Sequence, residues 1–279
     1  MQPSKMILVG VVALGAGHFL AIAQGTELSP LWTLAPGSRS YLTADNTQRG
    51  MDYNPVTKNL LLVNRAGGLQ VVKLDSMTGA ELGTLGLGES VVTGGTFAGS
   101  MLGVADDGAV YLGNLTTDST VSPYKLYRWA DESAAPTVAF SGDPSSNLAA
   151  GGANSKRFGD TMDVRGTGAN TQVLLAARGG GDVSVLFTPD GSNFAGTGVD
   201  TDAGVDAGNG SDIGLGIAFG SGNTLWGTAL GRTLRHIDVV PPAGTTIGNF
   251  GEAEGVPASI TMIGVDAANG WLGLADTYG

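Results

Sequence analysis

Few residues in this chain can do chemistry, and that narrows the options. Cysteine is absent, and of two histidines His18 sits in an apolar N-terminal run, which leaves His236. Disulfides, thiolate metal sites, a cysteine nucleophile and a histidine-rich metal centre are therefore excluded. A Ser-His-Asp arrangement would have to use His236, and no Gly-x-Ser-x-Gly elbow accompanies it. His236 lies in the alternating run Thr233 to Val239 and reads as an ordinary strand histidine.

Arginine and aspartate remain. Arg49, Arg65, Arg157, Asp160 and Arg178 are the candidate ligand-binding residues, suited to an anionic or hydroxylated ligand. The alternative is that they tie loops to neighbouring elements by buried hydrogen bonds. Asp160 and Asp163 form the nearest carboxylate pair for acid–base work, although both lie near one strand and fit a structural role equally well. Asp200, Asp202 and Asp206, in DTDAGVDAGNGSD, offer oxygen ligands at the short spacing of a calcium loop. The EF-hand pattern fails there, and a solvated acidic loop is the alternative; Ca2+ is the one cofactor the spacing admits. The glycine-rich stretches 83–88 and 214–220 join no strand to a helix, so neither supports a nucleotide site.

The frame that must position these groups is apolar, glycine-rich and acidic. Of 279 residues, 47 are glycine and only 14% are charged, with a formal net charge of −11. Glycine in such excess suits many short strands joined by tight turns. The scattered Lys and Arg argue against a nucleic-acid partner, because phosphate binding needs them clustered. A cation or a basic surface would suit the charge better, or the charge simply keeps an exported protein soluble.

Residues 1–23 have the parts of a signal peptide: Lys5, the apolar run Met6 to Leu20, then Ala21-Ile22-Ala23, with cleavage expected before Gln24. An uncleaved anchor is the alternative. Either reading puts residues 24–279 outside the cytoplasm, secreted or at the cell envelope, with no transmembrane segment after cleavage.

Past this point the sequence predicts strands bounded by Gly, Asn, Asp and Pro. Leu31 to Leu42 is expected to form one strand that pairs elsewhere. Four units of about four strands follow, then a fifth of two, Thr261 to Val265 and Trp271 to Ala275. The first turns of the units, at Asn59, Gly108, Asn170, Asn223 and Gly270, recur every roughly 47–62 residues, a blade-like period. The expected fold is all-β, a β-propeller of four-stranded antiparallel blades with about five repeats visible and the last truncated. A pair of stacked β-sandwiches competes. The fifth unit lacks outer strands, so the domain reads as incomplete at its C-terminus, unless Trp32 to Leu42 completes the last sheet. Trp129, Trp226 and Trp271 fall on strands and are expected to pack between blades.

Strand alternation chooses the end that would carry a site. The loop leading into strand one and the loop joining strands two and three share one end of each blade. Arg49, Arg157, Asp160 and Asp212 fall in the first kind, and Arg65, Arg178 and Arg232 in the second. The other end carries plain turns.

The strings QRGMDYNPVTKNLLLVNR, GGTF, LYRWADESAAPTVAFSGDP, RFGDTMDVRGTGANTQVLLAAR and GLGIAFGSGNTLWG resemble an uncharacterised family of exported bacterial proteins, found notably in verrucomicrobial genomes and often beside C-terminal PEP-type sorting tags. The resemblance covers most of Gln48 to Asp276 and implies a propeller-like repeat domain and export, but no activity. The chain stops before any such tag. The expected function is an exported, non-enzymatic binding or scaffolding module for a small molecule, glycan or protein. The alternative is a propeller hydrolase or lyase acting on a carbohydrate or lactone through carboxylates and arginines on the loop-rich face.

Overall fold

A computed structural model describes residues 7–10, 29–148, 156–179, 183–190, 193–201, 212–267 and 269–276. The described chain is all-β apart from two short 3-10 turns, Gly168–Asn170 and Glu252–Glu254. In order the strands are β1 (Ile7–Gly10), β2 (Gln48–Tyr53), β3 (Asn59–Asn64), β4 (Gln70–Asp75), β5 (Glu81–Thr84), β6 (Phe97–Val104), β7 (Val110–Leu115), β8 (Tyr124–Trp129), β9 (Thr137–Gly142) and β10 (Asp163–Arg165). Then come β11 (Gln172–Ala176), β12 (Val183–Asp190), β13 (Asn193–Asp200), β14 (Gly216–Phe219), β15 (Thr224–Thr228), β16 (Leu234–Val240), β17 (Ala243–Phe250), β18 (Ile260–Asp266) and β19 (Trp271–Asp276).

Chain neighbours pair antiparallel. β2 to β5 make one four-stranded sheet and β6 to β9 a second. β10 to β13 and β14 to β17 repeat the pattern but are one eight-stranded sheet, because β13 and β17 meet edge to edge. That join is a single parallel bridge, Asp200 opposite Ala243, with Asp200 N–H donating to Pro242 O at 2.8 Å. β18 and β19 form the last hairpin, and β1, inside the segment expected to be cleaved, pairs antiparallel with β19.

The core follows from side-chain alternation. Along β11, Val173 and Leu175 point into one apolar cluster with Tyr111, Tyr124 and Phe187, while Leu174 and Ala176 point into another with Ile217, Leu225 and Ile237. A strand with period 2 and apolar residues at every position must be covered on both faces. The same holds along β3, where Leu61 and Val63 meet β6 and β7 residues and Leu62 meets Tyr41. Each unit therefore packs face to face on the next. The first strands sit side by side in chain order: β2 against β6, β6 against β10, β10 against β14, β14 against β18. Two glycines permit that approach: a Cβ on Gly50 would lie 2.5 Å from Leu102 N, and one on Gly103 would lie 2.4 Å from Val164 Cγ2.

Leu31 to Leu42 forms no strand, contrary to the sequence expectation, and does not complete the last sheet. Gly37, at φ +79, turns the chain and donates N–H to Leu42 O. The segment then lays Leu34, Tyr41 and Leu42 over Leu62, Val72 and Leu74, and Trp32 Nε1 donates to Ser76 O at 2.9 Å. The outer face of the first sheet carries apolar residues that need a cover, and this segment supplies it, which leaves nothing to extend a sheet edge.

Candidate functional site

Asp160 is the centre of the polar cluster. Its side chain is 2% exposed and accepts two hydrogen bonds from Arg157, from Nε at 2.6 Å and Nη2 at 2.8 Å. Arg178 Nη1 reaches the same carboxylate at 3.4 Å. Two close approaches hold the loop. Thr116 and Phe158 bridge as a short antiparallel pair, and Arg178 N–H donates to Arg157 O at 3.1 Å. Gly159, at φ +105, passes so close to Asn114 that a Cβ would sit 2.0 Å from its carbonyl oxygen.

Arg65 approaches from the first sheet. Its guanidinium lies over the Phe97 ring at 3.9 Å and its Nε donates to Gly99 O at 3.0 Å. Burial and, after it, the nearby charge of Arg49 lower its pKa to about 10, partly opposed by Asp160. The group stays protonated at neutral pH. Arg49 Nε and Arg65 Nη2 are buried donors with no hydrogen-bond partner among the described residues. The structure thus brings together all five predicted ligand-binding residues, Arg49, Arg65, Arg157, Asp160 and Arg178. Arg157 and Arg178 pair with Asp160, whose charge also reaches Arg65, and Arg49 lies beside Arg65, in a chain whose formal net charge is −11. The fourth unit repeats the motif: Arg232, after β15, pairs with Asp212, before β14, at 3.1 Å.

Sequence reasoning missed Phe97, the platform under Arg65. An exposed aromatic at the start of a first strand was the available signal, but the contact spans two sheets. Asp160 and Asp163, the nearest carboxylate pair in the sequence, have different partners. Asp160 is bound by arginines, whereas Asp163 Oδ2 accepts Phe219 N–H at 2.6 Å across to β14. Asp52 does the same in the first unit, accepting Val104 N–H at 2.7 Å across to β6. Each also accepts the N–H of the residue after it, at 2.8 Å for Asp52 and 2.9 Å for Asp163. Both sit three residues beyond a cluster member, Arg49 and Asp160, so roughly 10 Å further along the first strands.

Burial, offset in part by the backbone N–H groups, raises both carboxyls to about 6; at Asp163 the Asp52 charge contributes to that rise and Arg165 opposes it. The folded chain therefore holds protons that the unfolded chain, with carboxyls near 3.8, has released. The stability this contributes is complete below about pH 4 and lost as pH rises through about 6. Asp45, Asp75, Asp118 and Asp131, held below the usual range by local Thr or Ser hydrogen bonds, titrate beneath that window. His236, with its pKa lowered on folding, pulls the other way over the same range, so the variant carries the test: between pH 4 and 7 urea melts of Asp163→Asn should show stability falling less, or rising more, with pH than in the wild type. A pH slope unchanged in Asp163→Asn would refute the assignment.

The remaining candidates are less central. Asp202 and Asp206 lie outside the described residues; Asp200 closes β13. No group of three or more His, Cys, Asp or Glu among the described residues could hold a metal ion. His236 stacks on Trp226 at 4.1 Å, and burial lowers its pKa while Asp238 opposes that shift. Trp129 is fully buried between the first two sheets, but Trp271 is 39% exposed. Among the described residues, no helix is long and apolar enough to cross a membrane.

The family described as "Domain of unknown function (DUF4623)" has a model that matches residues 41–183, a span containing all five residues of the arginine–aspartate cluster. No curated protein matches the sequence. A crystal structure of a DUF4623 family protein from Bacteroides eggerthii aligns with TM-score 0.55 and 16% identity, over 80% of this chain and 48% of that one. The likeness is one of fold, and the chain spans about half the length of that relative. Weaker likenesses run to a Myxococcus xanthus glutaminyl cyclase, with TM-score 0.43, 13% identity and coverage of 82% and 85% of the two chains. Another runs to a gluconolactonase from Xanthomonas campestris, with TM-score 0.45, 11% identity and coverage of 99% and 98%.

Proposed function

The chain belongs to the DUF4623 family, a domain of unknown function, and from that premise we propose that it is an exported, non-enzymatic binding module whose arginine-lined face holds an anionic glycan or similar small ligand. The units act as propeller blades about a shared axis, a reading supported by the chain-order contact of β2, β6, β10, β14 and β18. Export rests on the signal-peptide pattern of residues 1–23.

One observation carries the site: two neighbouring guanidinium groups, Arg49 and Arg65, keep buried N–H donors without acceptors among the described residues. An unmet buried donor costs stability, more so beside a like charge. A carboxylate or sulfate would satisfy both donors and relieve the repulsion.

Titration calorimetry with oligogalacturonate tests this. Arg49→Met and Arg65→Met should each weaken binding at least tenfold while leaving the melting temperature unchanged or slightly raised, and added salt should weaken the wild type. Absence of binding to acidic glycans, or variants that unfold while still binding, would overturn the proposal.

A further inference from the structure

Between the third and fourth units lies a cavity of about 110 Å³ that the arginine cluster does not touch. Its walls are Leu174, Leu186, Val199, Leu225 and Val239, from the facing strands of the two units. Of the polar side chains that line it, Arg165, Gln172, Asn223 and Thr224 are half-buried or exposed, and Ser184 is the fully buried one. Ser184 is 1% exposed, and its hydroxyl has no hydrogen-bond partner among the described residues. Arg165 stands at the mouth, where β10 turns towards β11, the end of that strand away from Arg157 and Asp160. The Arg165 guanidinium is fixed in place, donating to Gln172 Oε1, Gly220 O and Gly222 O and stacked on Phe219 at 4.1 Å.

We propose that this cavity is a second binding site, for a small neutral molecule with an apolar body and one hydroxyl or carbonyl group that meets Ser184. The size argument is direct. A dry apolar cavity of about 150 Å³ takes benzene, so one of this volume takes a molecule of about four or five heavy atoms. The chemical argument lies in the contrast between wall and hydroxyl. The buried walls are hydrocarbon apart from Ser184 and hold water poorly, because a water needs two or more polar partners. A ligand hydroxyl needs one partner, and Ser184 can donate or accept. A charged ligand is disfavoured, since Arg165 already directs its donors at carbonyl oxygens and an ion would meet hydrocarbon on the buried walls. The proposal uses no residue of the arginine cluster, so failure of either site leaves the other standing.

The test uses cyclobutanol and its isostere methylcyclobutane, titrated into the full chain with Leu and Val methyl groups labelled for NMR. Cyclobutanol should give saturable shifts confined to the lining methyls, with affinity several-fold better than methylcyclobutane. Ser184→Ala should remove that preference while keeping hydrocarbon binding. Leu186→Phe, at a half-buried position that tolerates bulk, should abolish both. Absence of saturable shifts in the wild type would overturn the proposal. So would an unchanged preference for the alcohol in Ser184→Ala, or shifts that persist in Leu186→Phe.

Discussion

Asp160→Ala should destabilise the fold by about 3–5 kcal/mol, the range for removing one partner from a buried ion pair. The carboxylate is almost completely buried and holds Arg157 through two hydrogen bonds, with Arg178 at 3.4 Å. Without it, Arg157 and Arg178 lose the anion they share, and Arg65, already beside Arg49, loses the one opposite charge that acts on it. The loss should appear as a lower urea midpoint with an unchanged slope. Adding Arg157→Met to Asp160→Ala should recover part of it, since one stranded charge goes. Arg178 is half exposed, so Arg178→Met should recover less. A loss below about 1 kcal/mol, the scale of a solvent-screened surface pair, would show that water already neutralises the cluster.

Gly159→Ala should cost on the order of 4 kcal/mol, combining an unfavourable positive φ with a backbone clash. The added methyl would sit 2.0 Å from Asn114 O and 2.8 Å from Leu115 Cα. Those are main-chain atoms of β7, a buried strand, so they cannot yield as a flexible side chain would. The segment carrying Arg157 and Asp160 must therefore move off β7. Anion binding should fall together with stability, unlike in the Arg49 and Arg65 variants, where binding alone falls. A melt within about 1 kcal/mol of wild type would mean the loop can rise without loss. Gly168 is the control: its φ is +50 with nothing within 4 Å, so Gly168→Ala should cost only the conformational share.

Much of the frame was legible. β8 and β15 fall at the predicted residues, Tyr124–Trp129 and Thr224–Thr228, because apolar alternation and flanking turn residues state a strand locally. Leu31 to Leu42 misled for the same reason: its apolar residues look like a strand but serve as a cover, and only the bare face of the first sheet reveals that use. The edge join between β13 and β17 was also invisible, since one bridge between distant residues leaves no local pattern.

The arginine face divides in the same way. Strand alternation alone assigned Arg49, Arg65, Arg157, Asp160 and Arg178 to one end, because antiparallel strands reverse direction at every turn. Which of them would touch, and which would be left with unmet donors, depended on how neighbouring sheets approach. Gly50 and Gly159 set that distance through contacts dozens of residues away in the chain. The sequence by itself determined strands, turns and the end of the molecule that carries charge, all properties of short stretches. Tertiary structure decided that Asp160 is held by two arginines, that Asp163 spans to β14 rather than pairing with Asp160, and that Ser184 lies beside a cavity. Each of those depends on the packing of one sheet face against another, which no short stretch of sequence encodes.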